Sequence, residues 1–314
     1  MQDDQDGWLC GTGCLRVSLG HQIIDPFFLY YYLGQRAVIE WIYNQAVGAT
    51  MPNLNTSILR SVPVVFPSLT EQKAIADTLK SYDDLIENNL RRIRILEDMA
   101  QSLYREWFVH FRFPGHEKTK MTDSPLGPIP QGWGVNEVDA IIERLSVGKK
   151  YDKNSSLETG MIPILDQGKT GIIGYHNDEP GVECSLEKPV VIFANHTCYQ
   201  RIIFFPFSAI QNVLPYKSKN ETHDIYWLYW ATKGLVSLSE YKGHWPEFAK
   251  KLVITPKPDL SEQFGEYVAP KMKLIYCLEL QNESLAKIRD LLLPKLISAE
   301  IDLTAAASKL KEAV

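Results

Sequence analysis

Two stretches of the chain carry apolar residues that step by fours and threes. In the first, Ile75, Leu79, Tyr82, Ile86, Asn89, Ile93, Leu96, Ala100, Leu103 and Trp107 follow one another without a break. That seam is about five heptads long and predicts a coiled-coil helix rather than a short globular one. In the second, Tyr267, Lys271, Leu274, Leu278, Gln281, Leu285, Ile288 and Leu292 have the same spacing, with fewer apolar members, and Pro270 predicts a kink or a delayed start. Each seam is interrupted once by an amide, Asn89 and Gln281. An antiparallel pairing brings these two amides together, where a hydrogen bond between them fixes the register; equally, both can sit at the hydrated edge of the seam. The residues expected to pair the helices are Asn89, Gln281, Ile86, Ile93, Leu96, Leu278, Leu285 and Ile288.

Both seams are entered in the same way. A β-branched run ends in PSLTEQ (Pro67 to Gln72) or PDLSEQ (Pro258 to Gln263). Ser68 with Glu71, and Asp259 with Glu262, have capping-box spacing, so a strand-to-helix junction with a capped start is expected at both places. Upstream, the segment from Asp25 to Tyr30 (DPFFLY) matches that from Asp224 to Tyr229 (DIYWLY), and Gly48 to Pro52 resembles Gly243 to Pro246. The chain is therefore an internal repeat of a globular segment followed by a helix. The boundaries read as residues 1–67, a globular segment; 68–112, the first helix; 113–130, a linker rich in Pro, Gly and charge; 131–258, a second globular segment; 259–303, the second helix; and 304–314, a tail.

Composition narrows the function classes. At 314 residues and 45% hydrophobic content, the chain can bury a substantial core. No run approaches the roughly 18 apolar residues that cross a bilayer, and five scattered cysteines without CxxC spacing fit reduced thiols. A cytoplasmic chain without a metal site is expected. The net charge of −5 argues mildly against nucleic acid, yet residues 131–258 hold 14 Lys/Arg against 14 Asp/Glu, so the acidic excess lies in the flanking parts.

The ordered set of segments resembles the specificity subunits of Type I restriction–modification systems. It comprises SPLGPIPQGW from Ser124, then Gly148-Lys149-Lys150, the two strand-to-helix hexapeptides, LEDMAQSLYREWFVHFRFP from Leu96 and LAKIRDLLLPKLISAEIDL from Leu285. The resemblance covers nearly the whole chain. It implies an α/β fold, with α+β target-recognition domains joined by long helices in an antiparallel two-helix coiled coil. It also implies a non-catalytic subunit that reads a bipartite double-stranded DNA target and docks methyltransferase and restriction–translocase subunits. S-adenosylmethionine, ATP and Mg would then be held only by those partners. A seam of roughly 40 residues at about 1.5 Å per residue gives a spacer of about 60 Å, between one and two turns of DNA.

One departure stands out. The second globular segment has 128 residues and the first 67, and alignment of Gly13-Cys14 with Thr197-Cys198 leaves the first without counterparts of residues 133–195. The first recognition domain reads as lacking its N-terminal half, through a shortened gene, a late start, or a separate fragment that supplies it.

Base edges are read by Arg, Lys, Asn, Gln and small polar groups, and phosphates by Lys, Arg, Ser and Thr. The candidates on loops of the longer domain are Lys149, Lys150 and Tyr151; Gln167, Lys169 and Thr170; Asn195, His196, Tyr199, Gln200 and Arg201; and Lys217 and Lys219. A solvated lysine pair, or a histidine bonded locally, is the plain alternative at each. Trp227, Tyr229 and Trp230 have helical spacing and read as core. Asp25-Pro26-Phe27-Phe28 lacks the second proline of an amino-methyltransferase motif, and no phosphate loop or nuclease cluster is present. The rival to a DNA reader is a protein-interaction scaffold, or a degenerate subunit that still docks its partners.

Overall fold

A computed structural model describes residues 15, 17, 19, 23–45, 54–168, 171–238, 242–301 and 303. In chain order, helices α1 (Pro26–Leu33), α2 (Arg36–Gln45) and α3 (Thr56–Arg60) lead to the long helix α4 (Leu69–Tyr104). A short hairpin, β1 (Met121–Thr122) with β2 (Ile129–Pro130), precedes β3 (Gly134–Glu137), α5 (Val138–Ile141) and β4 (Ile142–Arg144). Next come β5 (Ile162–Leu165), β6 (Ile172–His176), β7 (Val190–Ala194), β8 (Gln200–Ile203), β9 (Ser208–Ala209) and β10 (Val213–Ser218). The chain closes with α6 (Ile225–Thr232), α7 (Trp245–Ala249), β11 (Leu252–Thr255) and α8 (Pro258–Ile297). Residues 1–91 with 278–314 form one compact unit and residues 92–277 a second, so each long helix contributes to both.

The first unit is helical among its described residues. Phe28, Tyr31 and Tyr32 of α1 bury against Ile75, Ala76 and Leu79 of α4 and Leu296 of α8. Asp25 caps α1 by accepting from the backbone amides of Phe27 and Phe28, and its own amide donates to Gln72 Oε1 at 2.8 Å. Asp83 on α4 accepts from Tyr31 Oη at 2.5 Å and forms an ion pair with Arg289 on α8. Asn89 is 4% exposed, and its Nδ2 donates to Gln281 Oε1 at 3.0 Å and to Asn282 Oδ1 at 2.9 Å. Residue numbers rise on α4 as they fall on α8 through these pairs, which is the antiparallel arrangement.

The second unit is built on the antiparallel sheet β4-β10-β7-β8. Strand β7, Val-Val-Ile-Phe-Ala, is buried throughout because both of its faces are covered. Val191 and Phe193 point into a core with Trp227, Leu228 and Phe248, whereas Val190 and Ile192 point to Leu165, Phe207 and Ala209 of the smaller sheet β6-β5-β9. Strand β11 returns beside β3 and places α8 next to α4: Trp107 and Tyr104 ring-pack on Phe264, and Trp107 on Tyr267.

Four expectations need correction. The capping box forms at Ser68, where Glu71 Oε2 accepts from the Ser68 amide at 3.0 Å and the Glu71 amide donates to Ser68 Oγ at 3.4 Å. It does not form at Asp259, because Pro258 already begins α8 and puts Asp259 in the first turn, where its charge meets the positive end of the helix dipole. Helix α8 is also unbroken through Pro270, which lies on the exposed side. Its buried stripe runs through Phe264, Val268, Met272, Ile275 and Leu278, one position away from Tyr267, Lys271 and Leu274. Beyond Leu278 the inward positions are Asn282, Leu285 and Arg289, so Ile288, 44% exposed, is not a pairing residue. Finally, residues 113–130 are no loose tether. Phe113 and Ile129 are buried with Phe108 and Trp133, and β1 pairs with β2.

Candidate nucleic-acid interface

Loops at one end of the four-stranded sheet converge on Asn195. Its backbone amide donates to the Asn212 carbonyl at 2.8 Å, its Oδ1 accepts from the Trp245 amide at 2.8 Å, and its carbonyl accepts from the His244 amide at 2.9 Å. The β7–β8 turn that carries it passes through a left-handed conformation at Cys198 (φ 56°), and the turn before β10 does so at Asn212 (φ 73°). Non-glycine residues adopt this conformation uncommonly, asparagine more readily than most. Gly243 faces the Asn195 amide so closely that a Cβ would lie 2.8 Å from Nδ2. The two asparagines therefore fasten three loops together.

Around this fastening lie other polar groups. Gln167 Oε1 accepts from the His196 amide at 2.9 Å, and Gln167 O from Thr197 Oγ1 at 2.8 Å. His196 Nδ1 lies 3.0 Å from the Lys242 carbonyl, so that nitrogen carries the proton. Next to them, residues 144–150 run along residues 210–215 and enclose a groove of about 480 Å³ lined by Arg144, Ser146, Lys150, Gln211 and Asn212. Arg144 is exposed on edge strand β4, and its guanidinium lies 5.5 Å over the Trp245 ring. Among the described residues, neither Arg144 nor Lys150 forms an ion pair. The result is a cationic, amide-rich surface held on a rigid sheet.

The sequence candidates divide. Lys150, Gln167, Asn195 and His196 belong to this loop cluster, and Tyr199 and Arg201 are half-buried on the adjoining β8 side. Lys169 and Thr170 lie outside the described residues. Tyr151 is not a surface group: it is buried, stacks on His176 at 4.2 Å, and donates from Oη to Asp178 Oδ2 at 2.9 Å. His176 accepts at Nδ1 from the Asp178 amide and so donates from Nε2 to Ser208 Oγ at 2.9 Å. Lys149 completes this network through an ion pair with Asp178 at 2.8 Å, and hydrogen bonds from Lys149 and Tyr151 hold the Asp178 carboxyl below the usual range. Gln200 is likewise internal. Its Nε2 donates to Tyr216 Oη at 2.8 Å and its Oε1 accepts from the Gly234 amide, because alternation on β8 turns this residue toward α6. Lys217 pairs with Glu143 at 3.5 Å, and Lys219 lies past the opposite end of β10, roughly 20 Å along the strand from the asparagine fastening.

Sequence reading passed over Arg144, Gln211, Asn212 and Trp245. Asn212 sits in a Gln-Asn turn, a signal of left-handed backbone that was available. Arg144 carries no such local mark, since its position depends on pairing with Tyr216 on β10.

Comparison with known proteins agrees with this architecture. Residues 2–97 match the family model described as Type I restriction modification DNA specificity domain. The chain is 28% identical over 298 residues to the Type I restriction enzyme MjaIX specificity subunit of Methanocaldococcus jannaschii, covering 87% of this chain and 68% of that one. It is 25% identical over 147 residues to the MjaVIII specificity subunit of the same organism, covering 47% of this chain and 33% of that one. The fold is similar to the crystal structure of a Type I restriction–modification S subunit from M. genitalium, with a TM-score of 0.52 at 21% identity over 87% of this chain and 73% of that one. With its repeat of globular segment and long helix, the chain is similar in sequence and in fold to Type I restriction enzyme specificity subunits.

Proposed function

We propose that this chain selects DNA sequence for a Type I restriction–modification complex, that it reads a bipartite target, and that it docks methyltransferase and restriction subunits without catalysing a step itself. The observation that carries the reading is the loop cluster around Asn195 and Asn212. It holds Arg144, Lys150 and several amides at one rigid sheet end, which is the chemistry that contacts phosphates and base edges. The antiparallel helices, registered by Asn89, support a spacer that sets the distance between the two half-sites.

Affinity purification of the tagged chain from its native cells, with mass determination of the complex, tests the docking role. Stoichiometric recovery of an adenine methyltransferase is expected, and recovery of the chain alone would sink that part. Binding of duplex DNA by the recovered complex should fall steeply with salt. The net charge of −5 favours a second reading, a protein-interaction scaffold, which requires binding of partner proteins with no sequence-dependent DNA binding.

A further inference from the structure

We infer that Arg144 is a sequence-reading residue, specific for guanine, and that Lys150 beside it contacts the phosphate backbone; this rests on the DNA-reading role proposed above. Arg144 is an exposed cation with no ion pair among the described residues, and its head group lies over an aromatic shelf. Its guanidinium lies 5.5 Å over Trp245, and that ring packs on Phe193 at 5.9 Å, Tyr216 at 6.2 Å and Phe248 at 5.4 Å. The Trp245 backbone is itself held by Asn195 Oδ1. The shelf is therefore packed against the core of the unit.

A guanidinium that meets a ring through its face leaves its edge donors open to a planar acceptor pair. The acceptor pair that matches this fork in the major groove is O6 and N7 of guanine, whereas a phosphate can also be held by a lysine as a point charge. A contact that biases the arginine toward this position lowers the rotamer entropy that the side chain loses on binding. Lys150, by contrast, has no stacking partner or ion pair among the described residues, lines the same groove six residues further along the chain, and is suited to a phosphate. Gln211 lines the same groove from the facing segment.

The test uses the complex recovered with the tagged chain and a pool of random-sequence duplex DNA. The retained duplexes are sequenced for the wild type, Arg144→Ala, Arg144→Lys and Lys150→Ala, and the circular dichroism of each variant is checked against the wild type. A wild-type motif with a G·C pair at one fixed position is expected. Both Arg144 variants should lose the preference at that position alone, by roughly 5- to 100-fold, including the lysine variant that keeps the charge. Lys150→Ala should lower retention of all sequences together and leave the motif intact. If Arg144→Lys keeps the motif, the two-donor reading of guanine is overturned, and if the Arg144→Ala loss is uniform over sequence, Arg144 is a phosphate contact and the inference is overturned. If the wild type enriches no motif at all, the DNA-reading role fails and this assignment fails with it.

Discussion

Helices α1 and α6 begin alike and are buried differently. Each is capped by an aspartate, Asp25 or Asp224, that accepts from the second and third following amides, and each carries Leu and Tyr at matching places. Yet seven of the eight residues of α6 are buried, against Phe28, Tyr31 and Tyr32 alone in α1. Phe28 and its counterpart Trp227 are both fully enclosed, but Tyr30 is 67% exposed where Tyr229 is 5% exposed. Local chemistry thus starts the helix, and the neighbouring layers decide how much of it is core. In the second unit a sheet covers the face that is open on α1 among the described residues.

The largest effect that separates the two copies is truncation of this tyrosine. Tyr229→Ala should cost about 3 kcal/mol in urea unfolding, whereas Tyr30→Ala should stay within about 0.5 kcal/mol. Equal losses would mean that α1 is as enclosed as α6. A pH measurement sharpens the contrast further. Burial pushes the Asp224 carboxyl up to about 6 although two backbone amides donate to it, so the folded unit binds a proton more tightly than an unfolded aspartate near about 3.9. The corresponding stability is complete below about pH 4 and is lost as the pH rises through about 6. Asp224→Asn keeps a capping oxygen and should remove this slope, by roughly 1–2 kcal/mol between pH 4 and pH 7; an unaltered profile would assign the pH dependence elsewhere.

The helices allow two smaller tests. In a cycle of Asn89→Leu and Gln281→Leu, the coupling energy should be about 1 kcal/mol, reduced by the second acceptor, Asn282. Additive losses would place the amides outside each other's reach. Ser68→Ala should cost about 1 kcal/mol through the capping box, and Asp259→Ala only a few tenths through the helix dipole. Thermal melts of the two variants compare the helix starts directly.

What could be read from the sequence was what neighbours along the chain decide. The repeat, the cap at Ser68, the aromatic core of α6 and the α4 seam all depend on spacing within one element. The α8 stripe was misplaced by one position because Tyr267 and Leu274 are apolar enough to fit a seam that packing leaves to Phe264, Val268 and Ile275. Tyr151 and Gln200 looked like loop groups because their partners, His176 with Asp178 and Tyr216 with Thr232, are 16 to 32 residues away. Arg144 was invisible for the same reason: its meaning comes from Trp245, about a hundred residues on, and no local pattern joins the two.

The folding of residues 113–130 onto Phe108 and Trp133 has a practical side for anyone exchanging segments between related chains. The Pro- and Gly-rich stretch invites a splice, but a cut there would separate Phe113 and Ile129 from the core they help to fill. The division of the chain into residues 92–277 and the remainder puts the natural seams inside α4 and α8, near Arg91 and Leu278. A graft joined helix to helix at those two points carries its own floor with it, whereas one joined at the apparent linker arrives with a hole.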